Sequence, residues 1–176
     1  MSNKKTTNNE KTAKFSGNTS ILNYVSGNRI MQNSLEQIKE ILENEHCKEK
    51  TNFTYELALN LDKVEIQRKK GTSDRGNTVD FIVSLENNQL LLVEAKFLVK
   101  NVANIVSEIC DKINHSKRLL TSNENFRGFY KQEIILLSNN KEFQQNYNKL
   151  RRMSASKSRT IEPQTVSDFY NAFFCK

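Results

Sequence analysis

Residues 79–98 read VDFIVSLENNQLLLVEAKFL, two apolar runs joined by a short polar segment. Residues 79–85 and 90–98 have the length and composition of strands, and the polar residues 86–89 between them predict a turn. The stretch therefore predicts a β-hairpin. Its second run is apolar on both faces, which is typical of a buried central strand. We expect the rest of the fold to be organised around this hairpin.

Three charged residues interrupt these apolar strands. Glu94 and Lys96 are two residues apart, so both side chains project from one face of the second strand. Asp80 interrupts the first strand in the same way. An unpaired buried charge costs roughly several kcal/mol, so each of the three needs a partner or a cleft. Glu94 and Lys96 pairing with each other is one explanation, and a solvent-exposed face is another. A third is that the carboxylates hold a divalent cation through oxygen ligands, which would activate water and offset charge on a phosphate.

The cation hypothesis makes a geometric demand on the turn. Asp80 and Glu94 must share a face, so the numbers of directly paired residues must sum to an even number. A two-residue turn would pair Glu86 with Gln89, an odd sum, and would separate the two carboxylates. We therefore predict a three- or five-residue loop, or a bulge, with Asn87 or Asn88 in the left-handed conformation that asparagine tolerates.

Periodicity predicts the other elements, and together they favour an α/β fold with a mixed central sheet flanked by helices. Asn101 is a candidate N-cap, and Pro163 precedes a short aromatic helix. Four aromatic residues in that helix have helical spacing, namely Phe169, Tyr170, Phe173 and Phe174. We expect them to pack in the core, with a homodimer surface as the alternative. The predicted elements are a helix over 29–45, strand structure over 53–67, a basic loop over 68–77, a long helix over 102–120, a strand over 129–137 and a helix over 141–153.

Residues 1–20 are rich in Lys, Asn, Thr and Ser and predict a disordered basic arm, which leaves residues 21–176 as a single domain. The arm has no apolar run typical of a signal peptide, and the longest apolar stretch is interrupted by Glu94 and Lys96. Neither a signal peptide nor a membrane span is predicted, and a cytoplasmic location follows by default. Three widely spaced cysteines without a CxxC pair indicate reduced thiols rather than a zinc site.

The chain is basic, with 27 Lys and Arg against 20 Asp and Glu and a formal charge of +7. Such a balance suits a polyanionic partner such as nucleic acid, although a lysine-rich soluble surface has the same composition. The best candidates for phosphate contact are Arg68, Lys69, Lys70 and Arg75, because their loop leads directly into the Asp80 strand.

The spacing Asp80-x13-Glu94-Ala95-Lys96 resembles the motif of the PD-(D/E)XK nuclease superfamily, which includes restriction endonucleases and Holliday-junction resolvases. The resemblance covers about residues 29–137, because the order helix, strand, hairpin, helix, strand also matches. It implies a restriction-endonuclease-like core and Mg²⁺-dependent hydrolysis of nucleic-acid phosphodiesters, with DNA the expected substrate and Mn²⁺ an alternative cation. By position, Asp80 and Glu94 would be metal ligands and Lys96 the catalytic lysine. Val79 stands where the proline that names the superfamily would be.

Many members of that superfamily also carry an acid on the first helix. Among the acidic residues of the helix predicted here, Glu45 is the one on the apolar stripe, and it is the candidate for this role. Two other hypotheses remain open. The chain could be a catalytically silent module of the same fold that binds nucleic acid or protein. It could also be a basic structural or regulatory protein in which the three charges are incidental.

Overall fold

The predicted hairpin forms the middle of a six-stranded sheet in the computed structural model, which describes residues 12–70 and 75–175. The strands are β1 (Leu35–Gln37), β2 (Leu57–Asn60), β3 (Phe81–Ser84), β4 (Leu90–Lys96), β5 (Glu133–Leu137) and β6 (Ile161–Gln164). They lie side by side in chain order. β1 to β4 are mutually antiparallel, whereas β5 runs parallel to β4 and β6 parallel to β5. The sheet is therefore mixed, as the sequence predicted.

Helices cover both faces of this sheet. They are α1 (Asn18–Val25), α2 (Arg29–Gln32), α3 (Ile38–Asn44), α4 (Leu61–Arg68), α5 (Val106–Thr121), α6 (Phe143–Ala155) and α7 (Val166–Phe173). A 3₁₀ turn, Val102–Ile105, leads into α5, and the side chain of Asn101 caps it by accepting a hydrogen bond from the Ala103 N–H. None of the described helices has both the length and the apolar character needed to cross a membrane.

The hairpin confirms the parity prediction. Phe81 pairs with Val93 and Ser84 with Leu90, and the Leu85 N–H donates to the Gln89 carbonyl, so paired residue numbers have an even sum. Three residues form the loop, and Asn87 and Asn88 both have positive φ, of 65° and 57°. The same register carried one residue further places Asp80 opposite Glu94, on one face of the sheet.

Two apolar cores lie on opposite sides of the sheet. Even-numbered hairpin residues, such as Ile82 and Leu92, pack with α1, α2, α4, α5 and α6. Odd-numbered ones, such as Phe81 and Val93, pack with α3 and α7. Asp80 and Glu94 lie on the α5 side, so their carboxyl groups face a helix rather than open solvent.

The single helix predicted over 29–45 is wrong. The chain forms α2, then β1, then α3, because its apolar side chains belong to different cores. Met31 and Leu35 pack on the α5 side of the sheet, whereas Ile38 and Leu42 pack on the other side. One continuous helix would place its apolar stripe against only one of these cores. Strand β1, which pairs Leu35 with Leu59 of β2, connects the two helices on opposite sides of the sheet.

The prediction of strand structure over 53–67 is correct only for β2, because residues 61–68 form α4. The Asn60 side chain caps this helix by accepting a hydrogen bond from the Lys63 N–H, and Asp62 lies in its first turn. A cap followed by an acidic residue is a helix-start signal that the alternating apolar residues upstream obscured. Because α4 extends to Arg68, this residue lies in the helix and not in the loop predicted over 68–77.

The predicted disordered arm is too long at its C-terminal end. Residues 1–11 lie outside the described residues, but Phe15 forms an antiparallel bridge with Leu85 and donates its N–H to the Phe173 carbonyl. Helix α1 then begins at Asn18 and buries Ile21 completely. Burial of a few apolar side chains thus orders a segment whose average composition is polar.

The C-terminal region contains β6, a strand that the sequence did not predict. Pro163 lies within it, which is tolerated because β6 is at the edge of the sheet. The aromatic helix expected after Pro163 is α7. Phe169 and Phe173 are buried in the core, as predicted, while Tyr170 and Phe174 are partly buried against it.

Candidate active site

Asp80 is held at the start of β3 by three hydrogen bonds around it. Its Oδ2 accepts from the Ala95 N–H at 2.6 Å, across the hairpin. Its backbone carbonyl accepts from the Leu61 N–H at 3.0 Å, and the N–H of Val79 donates to Ser116 Oγ on α5 at 2.9 Å. Asp80 is therefore buried in a fixed position between β4, α4 and α5.

Glu94 is completely buried beside Asp80 and binds two lysines. Lys96 Nζ lies 2.5 Å from Glu94 Oε1, and Lys112 Nζ lies 2.7 Å from the same oxygen. Lys112 Nζ is also 3.8 Å from Asp80 Oδ1. Pairing of Glu94 with Lys96 is thus real, but a second lysine, from α5, joins the group and links the two carboxylates. The alternative of a solvent-exposed face is wrong.

The other oxygen of Glu94 lacks a partner. Glu94 Oε2 is buried and has no hydrogen-bond partner within residues 12–70 and 75–175. A buried carboxylate oxygen normally accepts at least one hydrogen bond, and leaving it without one costs roughly 1–3 kcal/mol or more. An oxygen in this state is a suitable ligand for a hard cation.

The electrostatics of Asp80 reflect the crowding of negative charge. Burial raises the pKa of Asp80 well above its ordinary value, and the charges of Glu94 and Glu45 raise it further. The Ala95 N–H and the Lys112 ammonium oppose this shift without overcoming it. Two neighbouring carboxylates in a buried site commonly show such behaviour, because they disfavour ionisation of each other.

Lys112 shows the complementary effect. Burial lowers the pKa of its ammonium, but attraction to Glu94, the hydrogen bond to Glu94, and the charges of Asp80 and Asp62 together raise the pKa above its ordinary value. Lys112 therefore stays charged, and this charge balances part of the negative charge around it.

Glu45 also belongs to this group. It follows α3 as its C-terminal cap, half-buried, and burial raises its pKa. The next contributions come from Asp62 and Glu94, which raise its pKa, and from Lys96 and Lys112, which lower it. The charges of the cluster thus act on the Glu45 carboxyl group, and its role as the first-helix acid stays a prediction.

The set of donors matches a hard divalent cation in chemistry but not as a preformed cage. Four carboxylates (Glu45, Asp62, Asp80 and Glu94) face two ammonium groups, so full ionisation leaves an excess of two negative charges. Oxygen ligands of this kind suit Mg²⁺ or Mn²⁺. However, no three His, Cys, Asp or Glu side chains of the described residues are clustered closely enough to form a ready-made metal site. The two lysines occupy Glu94 Oε1, which leaves Oε2 as the oxygen without a partner among the described residues.

Of the four predicted phosphate contacts, the structure places one in a cleft with a residue of this cluster. Arg75 is exposed and lines a cleft of about 230 Å³ with Asp62, Thr78 and Lys112, which opens beside the carboxylates. Arg68 ends α4 and pairs with the buried Glu65 at 3.1 Å. The remaining two lysines follow, with Lys69 as the C-terminal cap of α4 and Lys70 exposed after it. Part of the predicted loop, residues 71–74, is outside the described residues.

His115, which the sequence suggested was a surface residue, is partly buried behind this cleft. Its imidazole packs directly on the backbone of Gly76, where a side-chain carbon would overlap the ring. His115 Nε2 lies 3.5 Å from Glu65 Oε1 without forming a hydrogen bond, while the same oxygen accepts from the Gly76 N–H at 3.0 Å. The histidine thus shapes the wall of the cleft.

Lys112 and Asp62 are the members of the cluster that sequence reasoning missed. Lys112 is three residues after the buried Ile109 and four before the buried Ser116, so it lies on the sheet-facing side of α5. A lysine on that stripe, in the helix after the Glu94 strand, was the available signal. Comparisons with protein-family models, with curated proteins and with solved structures give no match. The function proposed below therefore rests on the side chains of this cluster.

Proposed function

We propose that the chain is a metal-dependent nuclease of the PD-(D/E)XK type, which hydrolyses phosphodiester bonds of nucleic acid, with DNA as the expected substrate. The observation that carries the proposal is a hairpin register, with Phe81 opposite Val93, that places Asp80 on the same face as Glu94, beside two lysines and a carboxylate oxygen without a partner among the described residues. We also propose that α3, β2, the β3–β4 hairpin, α5 and β5 form a restriction-endonuclease-like core, since their order follows that pattern.

In this proposal Asp80, Glu94 and Glu45 hold a divalent cation, Mg²⁺ or Mn²⁺. When bound, such a cation supplies a positive charge that activates water and offsets the charge developing on the phosphate. The Ala95 N–H keeps Asp80 turned toward Glu94, so one carboxylate is oriented by the backbone and the other by lysines. Binding of a cation would then require the lysine ammonium groups to give up part of their contact with Glu94.

Lys96 is the residue proposed to act on the phosphate. Its Nζ lies 2.5 Å from Glu94 Oε1, and its side chain is 17% exposed, so the ammonium is placed beside a proposed metal ligand. From there it can donate hydrogen bonds to a water or to a phosphate oxygen in the transition state. Arg75, across the neighbouring cleft, would hold the flanking phosphate backbone.

A second function is favoured by a specific observation. Both lysines are paired with Glu94, and no ready-made metal site exists in the part of the chain that the structure describes. A catalytically silent module that binds nucleic acid through the same basic surface would retain this ion-paired group as a structural feature.

Cleavage assays distinguish the two functions. Supercoiled plasmid, linear duplex, single-stranded DNA and RNA are incubated with the protein in Mg²⁺, Mn²⁺ or EDTA. A nuclease cleaves at least one substrate with metal and none in EDTA, and E94Q loses cleavage while it still binds the substrate. A silent module binds nucleic acid but does not cleave any of these substrates under any condition.

E133Q is a matched control for E94Q. Glu133 of β5 is also a buried glutamate paired with a lysine of α5, at 2.6 Å from Lys117 Nζ. If E133Q abolishes cleavage as completely as E94Q does, the loss reflects damage to the fold, and the role given to Glu94 is wrong.

A further inference from the structure

Lys112 holds the two buried carboxylates of the candidate active site together. Its Nζ lies 2.7 Å from Glu94 Oε1 and 3.8 Å from Asp80 Oδ1, and its side chain is only 14% exposed. An ammonium group between two carboxylates supplies there the positive charge that a metal cation would supply. The Lys112 ammonium and a metal cation cannot both lie this close to Glu94 Oε1 and Asp80 Oδ1, because like charges at such distances repel strongly.

The backbone around Lys112 is fixed, but its side chain has a second place to go. Ile109, Ile113 and Ser116 anchor α5 in the core, and Ser116 Oγ accepts a hydrogen bond from the Val79 N–H. The flexible lysine stem lines the cleft that also contains the exposed carboxylate Asp62. Rotation of the stem alone would move the ammonium from the buried pair toward Asp62.

We infer that Lys112 is an internal counter-ion that competes with the divalent cation for Asp80 and Glu94. Without metal, it balances the charge of Glu94 beside Asp80 and stabilises the fold. With metal, its ammonium leaves them for the Asp62 side of the cleft. This inference rests on the proposed function and adds to it a residue that sets the metal affinity.

If Lys112 competes with the cation, its replacement should raise the metal affinity rather than lower it. Removing an ordinary supporting residue weakens metal binding, because the ligands lose their orientation. Removing a competitor strengthens it, because the cation no longer has to break a charge-assisted hydrogen bond. We expect Lys112→Met to bind metal at least about tenfold more tightly, since each 1.4 kcal/mol is a factor of ten.

Lys117→Met is the matched control. Lys117 lies on the same helix, five residues further on, and pairs with the buried Glu133 at 2.6 Å. Its removal also leaves a buried glutamate without its closest ammonium, but this glutamate is not one of the proposed ligands. K117M should therefore be destabilised without any change in metal affinity.

The test is calorimetric titration of Mn²⁺ and of Mg²⁺, without nucleic acid, into wild type, K112M and K117M, together with thermal unfolding in EDTA and in metal. The expected result is tighter binding and a larger metal-induced rise in Tm for K112M alone. Equal or weaker binding by K112M would overturn the inference and leave the metal site standing. If no variant binds metal, both the inference and the metal-dependent function fall.

A measurement on the wild type covers the case in which K112M does not fold. The side-chain nitrogen signals of Lys112 and Lys117 are followed by NMR during titration with Mg²⁺. Loss of the ion pair should shift the Lys112 signal and leave that of Lys117 in place. A Lys112 signal that stays unchanged at saturating metal would overturn the inference.

Discussion

Asp80 lies opposite Glu94 because the hairpin that joins them turns on three residues rather than two. Phe81 pairs with Val93, so the next pair outward joins the two carboxylates on the face covered by α5. A two-residue turn would have placed one carboxylate in each of the two cores. The geometry of a short loop thus decides whether the candidate active site exists.

The first prediction concerns that loop. Asn87 is exposed and has φ of 65°, a conformation that is unfavourable for a β-branched residue. Asn87→Val should lower the free energy of unfolding by about 1–2 kcal/mol, whereas Asn87→Gly should leave it within about 0.5 kcal/mol of wild type. Urea denaturation of both variants checks this. Equal stabilities for N87V and N87G would show that the loop does not constrain the hairpin.

The second prediction concerns Asp80 in the absence of metal. Its pKa is raised by burial and by the charge of Glu94, so the folded protein favours the protonated acid. The stability that this group contributes is complete below its ordinary pKa and is lost as the pH rises through the raised value. Asp80→Asn cannot ionise, so its stability relative to wild type should increase over the same range.

Urea denaturation in EDTA from pH 4 to pH 8 measures this difference, and D80N should become progressively more stable than wild type as the pH rises. In a second series, with Mg²⁺ in place of EDTA, D80N should lack the stabilisation by Mg²⁺ that we expect for wild type. D111N, which alters an exposed aspartate of α5, controls for the loss of one charge. A constant difference between D80N and wild type across the range would contradict the prediction.

Local pattern was enough to predict the hairpin and its parity, but not the division between the two cores. The alternation and turn residues of 79–98 act over a few residues, where sequence rules are strongest. Between residues 29 and 45 the same apolar spacing serves two faces of the sheet, and only the tertiary structure assigns Met31 to one and Ile38 to the other. Strand β6 was missed because Pro163 disfavours most strand positions and is tolerated only at an edge.

Lys112 shows why part of the site lay beyond the sequence. A lysine near the apolar stripe of a helix commonly extends its ammonium to solvent. What keeps the Lys112 ammonium inside is the pair of carboxylates presented by a hairpin that the helix covers. Its partner is known only after the sheet register and the packing of α5 are known.

The third prediction concerns the cleft wall. A methyl group at Gly76 would overlap the imidazole of His115, which packs against its backbone. Gly76→Ala should lower the free energy of unfolding by about 1–3 kcal/mol, as overpacking does. The same substitution in a His115→Ala background should have a much smaller effect, because the obstructing ring is gone. A double-mutant cycle by chemical denaturation measures the coupling, and additive effects would contradict the contact.

The fourth prediction concerns the basic surface beside the site. Arg75 is exposed at the cleft that contains Lys112, so its guanidinium can contact phosphate without first leaving a buried partner. If it contacts one phosphate, Arg75→Ala should weaken binding of all duplex sequences alike and make the salt dependence of log Kd less steep by about 0.9. Lys39→Ala is the control, since Lys39 is an exposed residue of α3 on the opposite side of the sheet. Fluorescence anisotropy with a labelled duplex at several salt concentrations measures both slopes, and an identical slope for R75A and K39A would exclude Arg75 as a phosphate contact.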